Sequence, residues 1–356
     1  MNNKTAKCKI EKYGTIDKGM GYHGWPTCAL LPDGRIMLVA SADRVGHVCP
    51  FGKVVAYESQ DVGESWSDPR ILADTPLDDR DAGILVTRSG TIMVNWFTSI
   101  CWLNYLEKPE YSAWKEIAAT VSLKDVSDNL GFWMIRSADG GKTWSEKQAM
   151  PVNSPHGPCQ LSDGSLLFVG NVIGQTTDLR GGCRNDILPV AARSTDEGKS
   201  WEVIGRIPAS RLQTWENYEE LHAVEAADGT IVAHIRNHIP YGSPETWQSK
   251  SPDKGRTWSE PTRITYGIPT FLTALSDGRL MMSYGYRREP YGVRARISDD
   301  NGEKWSEELV ISDDAKFSDL GYPSTVQLPD GRFFTVWYEK LSEERCLLRH
   351  AIWRIN

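Results

Sequence analysis

Ser59-Gln-Asp-Val-Gly-Glu-Ser-Trp66 is one of five copies of a single phrase, and its reading decides the fold. The others are Ser137-Ala-Asp-Gly-Gly-Lys-Thr-Trp144, Ser194-Thr-Asp-Glu-Gly-Lys-Ser-Trp201, Ser251-Pro-Asp-Lys-Gly-Arg-Thr-Trp258 and Ser298-Asp-Asp-Asn-Gly-Glu-Lys-Trp305. Asp accepts backbone hydrogen bonds and Gly takes positive φ without steric cost, so the phrase suits a tight turn. Trp adds a large apolar surface that pins the turn to a sheet. A phrase that recurs in this way marks a repeat architecture.

A second phrase alternates with the first. It occurs as Leu31-Pro-Asp-Gly34, Leu161-Ser-Asp-Gly164, Ala226-Ala-Asp-Gly229, Leu275-Ser-Asp-Gly278 and Leu328-Pro-Asp-Gly331, with a degenerate copy at Thr87-Arg-Ser-Gly90. Each sits between apolar runs and reads as a β-hairpin. Six hairpins, five followed by the Trp turn, imply an all-β chain of six four-stranded sheets. The expectation is a six-bladed β-propeller that occupies residues 1–356 as one domain, with a polar insert at about 103–130 that has room for a short helix. The last strand of the sixth sheet is either Leu347-Leu-Arg-His-Ala-Ile-Trp353 or Cys8-Lys-Ile-Glu-Lys-Tyr13. Either choice lets the termini share a sheet, which removes exposed edges.

Bulk properties narrow the function. Of 356 residues, 40% are hydrophobic and 24% charged, which is ordinary for a globular chain. A net charge of −7 argues against nucleic-acid and anionic-membrane partners. No apolar run is long enough to span a bilayer. The first residues carry no apolar signal core, so the expected location is the cytoplasm unless a leader has been removed. Seven scattered cysteines (Cys8, Cys28, Cys49, Cys101, Cys159, Cys183 and Cys346) suggest reduced thiols, and no Cys-x-x-Cys pair points to zinc. No metal and no cofactor is expected. The oligomeric state stays open.

Charged and aromatic residues collect at the starts of the inner strands, in His23-Gly-Trp-Pro26, Asp78-Asp-Arg-Asp-Ala82, Ser154-Pro-His-Gly157, Tyr218-Glu-Glu-Leu-His222 and Asp319-Leu-Gly-Tyr-Pro323. A propeller interior has no packing use for so many charges, which favours a binding pocket.

The Trp turns resemble the Asp boxes of the sialidase superfamily over essentially the whole chain. The resemblance implies a six-bladed propeller whose Asp boxes are structural. It also implies an exo-acting glycoside hydrolase that acts on terminal acidic sugars of glycans, with a glycan or oligosaccharide as the binding partner. Arginines grip the substrate carboxylate, a Glu-activated Tyr attacks the anomeric carbon, and an Asp serves as acid and base. The spacing of Glu220, Glu225, Gly229 and Arg236 is similar to the family's fourth unit, so Glu220 is the implied activator and Arg236 a carboxylate-binding cation. Tyr322, ahead of Leu328-Pro-Asp-Gly331, is the implied nucleophile. The loop Tyr286-Arg-Arg-Glu offers Arg287 first and Arg288 second.

The first unit departs from the pattern. Gly24-Trp25-Pro26 stands where the family has Arg-Ile-Pro. Arg44 matches a later arginine, but no carboxylate follows it. His47 occupies the place of the acid, and Asp81 is the other candidate for proton transfer. Trp25, His156 and His222 head inner strands and join the candidates for substrate binding. Two other functions fit the same architecture: a lyase that abstracts a proton beside a uronate carboxylate, and a carbohydrate-binding propeller without turnover.

Overall fold

The computed structural model describes residues 8–16, 21–172, 188–211, 215–238, 245–342 and 345–356. All six hairpins form as read. The N–H of Gly34, Gly90, Gly164, Gly229, Gly278 and Gly331 each donates to the carbonyl three residues earlier, and each of these glycines has positive φ. The degenerate copy at Gly90 therefore behaves like the others.

The Trp turns close in one common geometry. Ser194 Oγ donates to Asp196 Oδ1 at 2.8 Å and accepts from the Gly198 N–H at 2.8 Å. Asp196 accepts from the Ser200 N–H at 2.9 Å and from its hydroxyl at 2.6 Å. The tryptophans then leave the turn to pack. Trp305 meets His234 of the preceding sheet at a ring-centre distance of 5.2 Å. Trp144 packs on the cluster that joins Met37 and Val39 of one sheet to Ile84 and Ile92 of the next.

Four sheets are discrete and four-stranded. They begin with Asp78–Val86, Cys159–Gln160, Tyr218–Glu225 and Thr270–Ala274, and in each the strands follow chain order. The count of six separate blades is corrected here. The other eight strands form one continuous sheet, in the order Leu320–Gln327, Phe333–Ser342, Arg345–Ile355, Tyr22–Leu30, Ile36–Arg44, Lys53–Ser59 and Arg70–Ala73, with Cys8–Ile16 paired to Arg345–Ile355. Its continuity comes from a single parallel pairing, Tyr22 with Cys346, between strands from opposite ends of the chain. Both candidate terminal strands are used, Arg345–Ile355 inside and Cys8–Ile16 on its flank. The arrangement remains an all-β propeller, with the first strand of each unit packed toward the centre.

Between Ile92–Ser99 and Gly131–Ser137 the insert carries two short helices, Trp114–Thr120 and Leu123–Asn129. Ser122 and Asp125 cap the second reciprocally. Among the described residues no helix is long and apolar enough to cross a membrane. Cys8, Cys28, Cys49, Cys159 and Cys346 are free, but Cys101 is disulfide-bonded, so the expectation of reduced thiols fails there. Cys183 lies outside the described residues.

The Trp turns also set acid stability. Hydrogen bonds from the Thr257 hydroxyl and N–H lower the Asp253 carboxyl to about 2, below the ordinary carboxylate range. A depressed folded pKa stabilises above the unfolded value and is lost as pH falls through the folded one. Asp253→Asn is therefore expected to cost about 1 kcal/mol at pH 7, after discount for its partial exposure. Urea melts at pH 7 and near pH 2 check this: the gap from wild type should close at the lower pH.

Candidate active site

One local device builds the pocket. Trp25, Asp81 and Tyr322 have φ of 54°, 55° and 50°, the left-handed region that bulky L-residues avoid. Each lies where the ladder to the second strand slips, between Gly24 and Thr27, Arg80 and Gly83, and Gly321 and Ser324. Such bulges re-aim side chains, and strain of this kind clusters at functional sites. Pro26 and Pro323 follow two of them, where an interrupted ladder does not need their missing N–H. A fourth slip, between Tyr218 and Leu221, brackets Glu219 and Glu220. Gly285 lets the Arg287 loop approach: a Cβ there would meet Gly321 Cα at 2.9 Å.

Tyr322, Glu220 and Arg236 come together. The Tyr322 hydroxyl donates to Glu220 Oε1 in a short hydrogen bond. Arg236 Nη1 donates to both Glu220 oxygens, at 2.8 and 3.0 Å, and to the Tyr322 oxygen at 3.1 Å. Arg236 Nε lies 3.0 Å from Glu219. Burial alone would raise the Glu220 carboxyl, but Arg236 and the Tyr322 hydrogen bond outweigh it and hold Glu220 below the ordinary range. Burial, and then the Glu220 charge, raise Tyr322 well above the ordinary phenol. At neutral pH Tyr322 keeps its proton and Glu220 is the base aimed at it.

Arg287 and Arg288 separate. Arg287 Nε donates to the Leu320 carbonyl at 2.9 Å and Nη2 to the Tyr338 hydroxyl at 3.2 Å, and its charge reaches Glu220 and His47. Arg288 is exposed and lies over the Tyr266 ring at 3.6 Å. Tyr338 in turn donates to Asp319 at 2.5 Å, and Tyr22 donates to the same carboxylate at 3.1 Å.

The carboxylates of the Asp78-Asp-Arg-Asp81 run have three fates. Asp78 forms a two-point pair with Arg44, whose side chain is fully buried and also donates to the carbonyls of Gly46 and His47. Arg44 is thus committed to the scaffold. Asp79 accepts from Thr98 at 2.5 Å, from the Trp96 ring N–H at 3.2 Å and from the Thr75 N–H at 2.7 Å, and burial raises it to about 6. Asp81 is buried beside Arg80 with its N–H bonded to Ser41 Oγ at 2.8 Å, and burial raises its carboxyl although Arg80 opposes the change.

His47 is exposed at the rim, 5.0 Å from the Trp25 ring centre, with its Nδ1 3.4 Å from the Tyr22 hydroxyl. Enclosure by neighbouring atoms, then the Arg80, Arg44 and Arg287 charges, lowers it to about 3 against the pull of Asp319. It is neutral at physiological pH and is poorly matched to acid catalysis there. His156 is 1% exposed, and neither ring nitrogen has a hydrogen-bond partner. Its ring lies 6.0 Å from Tyr322 and 5.5 Å from His222. Burial lowers His156 to about 4 and holds His222 well below the ordinary imidazole range. His222 accepts from the Leu272 N–H at 2.9 Å and stacks on Phe271. The two histidines wall off a cavity of about 760 Å³ that opens at the opposite, hairpin-turn end of the inner strands. Among the described residues no group of three His, Cys, Asp or Glu side chains converges to hold a metal ion.

Two pocket residues were not singled out by sequence reasoning. Arg80 lies over the buried Trp25 ring at 4.5 Å. Asp319 anchors Tyr338 and Tyr22. The signal for Arg80 was present in its run of four charges at the head of an inner strand.

The BNR repeat-like domain family matches residues 88–335, more than half of the chain. No curated protein sequence matches the chain. A protein of unknown function from Dyadobacter fermentans shares the fold at 21% identity, with 98% of this chain and 99% of that chain covered and a TM-score of 0.79. A Hadza microbial sialidase, Hz136, is 17% identical with a TM-score of 0.64, over 94% of this chain and 65% of that chain. The intramolecular trans-sialidase of Ruminococcus gnavus is 15% identical with a TM-score of 0.63, over 98% and 96%. At these identities the likeness is one of fold.

Proposed function

We propose that this chain, which belongs to the BNR repeat-like domain family, is a sialidase-like exo-glycoside hydrolase that removes terminal acidic sugars, sialic acid or a relative, from glycans. The observation that carries the reading is the hydrogen-bonded set of Tyr322, Glu220 and Arg236 at the pocket floor. A phenol paired with a buried carboxylate is a nucleophile beside its base. A neutral nucleophile also avoids repulsion by an anionic sugar, which a carboxylate nucleophile would suffer.

In this mechanism Arg236 and Arg287 draw the sugar's carboxylate toward the floor. Tyr322 oxygen bonds to the anomeric carbon as its proton passes to Glu220. The glycosidic bond breaks, and Asp81 gives its proton to the departing oxygen. Asp81 then takes a proton from water, whose oxygen attacks the anomeric carbon and releases Tyr322, which recovers its proton from Glu220. This mechanism leaves Arg44 out of binding, because its side chain is fully buried and all three of its nitrogens are engaged by Asp78 and the Gly46 and His47 carbonyls.

Aryl glycosides of sialic acid and of uronic acids test this reading, followed by dye release and by ultraviolet absorbance. Dye release from the sialoside without a new ultraviolet band is expected. A new band from a conjugated double bond would instead identify a lyase. Ligand-raised thermal stability with neither signal would identify a binding protein.

A further inference from the structure

Arg44 and Arg80 border the same Trp25 ring, yet they are held differently. Arg44 is locked by Asp78. Among the described residues Arg80 has no polar contact shorter than 3.4 Å: its Nε lies 3.4 Å from Asp81, its Nη1 3.4 Å from the His47 carbonyl, and Asp78 is 3.8 Å away. Charge-assisted pairs ordinarily close to about 2.7–2.9 Å. Among the described residues Arg80 Nη2 makes no hydrogen bond. Stacking holds this guanidinium instead, 4.5 Å from the Trp25 ring centre and 5.5 Å from Phe97. A planar cation with an unused edge thus lies between two aromatic rings.

Asp81 is its loose partner. The other charged or titratable groups around that carboxylate are Asp78 on its own strand, Arg44 from Ile36–Arg44, Glu220 from Tyr218–Glu225 and Tyr322 from Leu320–Gln327. Glu220 and Asp78 repel a charge on Asp81, Arg44 is already paired, and burial disfavours ionisation. Arg80 is therefore the chief group that opposes burial and favours the charged form of Asp81.

We propose that Arg80 couples recognition of an anionic sugar to proton delivery by Asp81: the substrate's anionic group draws the guanidinium away, and Asp81 then takes up a proton from solvent and holds it for the leaving group. A carboxylate offers Arg80 a two-point pair that Asp81 does not. Without that cation, burial and two neighbouring carboxylates favour the neutral acid. A neutral sugar cannot set off this change, so the acid form would appear with the substrates that need it. This inference rests on the pocket being a site for acidic sugars.

Proton uptake on binding tests it without turnover. The probe is 2-deoxy-2,3-didehydro-N-acetylneuraminic acid, titrated calorimetrically near pH 6.5 in buffers of different ionisation enthalpy, beside its neutral methyl ester. Wild-type protein is expected to take up about half a proton or more per acid bound and almost none with the ester. Arg80→Gln should abolish the uptake and weaken the acid about tenfold or more while leaving the ester unchanged. Asp81→Asn should abolish the uptake too, which assigns the proton to Asp81 rather than His47 or Glu220. The wild-type comparison needs no variant to fold. Acid binding without proton uptake, or uptake that survives Asp81→Asn, overturns this inference alone. Failure of the acid to bind wild-type protein overturns the acidic-sugar reading with it.

Discussion

Tyr322→Phe is expected to lower kcat/KM on an aryl α-sialoside by about a thousandfold or more. The variant removes one oxygen, and that oxygen carries the reaction. It donates to Glu220 and accepts from Arg236 at 3.1 Å. Stability should change little. Glu220 keeps both hydrogen bonds from Arg236, and the ring keeps its contacts with Trp25 and Tyr338. A melting temperature within about 3 °C of wild type is expected. Steady-state rates and a thermal melt of the same preparation separate the two effects. Activity within tenfold of wild type would remove Tyr322 from the nucleophile's role.

Arg236→Met carries the largest expected stability loss. Arg236 lies between Glu219 and Glu220 and is mostly buried. Its removal leaves two adjacent carboxylates without their cation, and breaking a buried pair in this way costs about 3–5 kcal/mol. The pH dependence has a definite sign. In wild type Glu220 titrates below its unfolded value, so its contribution is present above the ordinary carboxylate range and is lost as pH falls through the folded pKa. In the variant, burial acts without Arg236 and raises the same carboxyl. The penalty is then present at neutral pH and is relieved as the group protonates. Urea melts at pH 7 and pH 4 should show the gap from wild type narrow at the lower pH. A constant gap would mean that packing, not charge, sets the loss. Activity should also disappear, because Glu220 would no longer be held ionised beside Tyr322.

The legible parts of this molecule are those that local sequence encodes. Turn chemistry is local, so the hairpins at Gly34 to Gly331 and the Ser-Asp-Gly-Trp turns could be read directly. The separation of the sheets could not. It depends on one parallel pairing between Tyr22 and Cys346, more than three hundred residues apart, and neither residue announces it. In the pocket, Glu220 and Arg236 were legible because the hairpin spacing places both at one end of adjacent strands. The fate of Arg44 was not, since only the folded chain brings Asp78 against it. The run of charges pointed to Arg80, but its partner was hidden for a related reason. The Arg80 guanidinium lies over Trp25, which belongs to a different strand, and only the folded chain brings the two together. His47 was placed by its position after Arg44, but enclosure by its neighbours, and then the Arg80, Arg44 and Arg287 charges, hold its pKa down.

The most direct measurement is covalent capture. The protein is incubated with 2,3-difluorosialic acid, which slows both formation and breakdown of a glycosyl-enzyme, and is then digested and weighed peptide by peptide. A sialosyl mass on the peptide that holds Tyr322, absent from Tyr322→Phe, is the predicted result. Turnover of an aryl sialoside with no adduct, or with the adduct on another residue, would contradict the account.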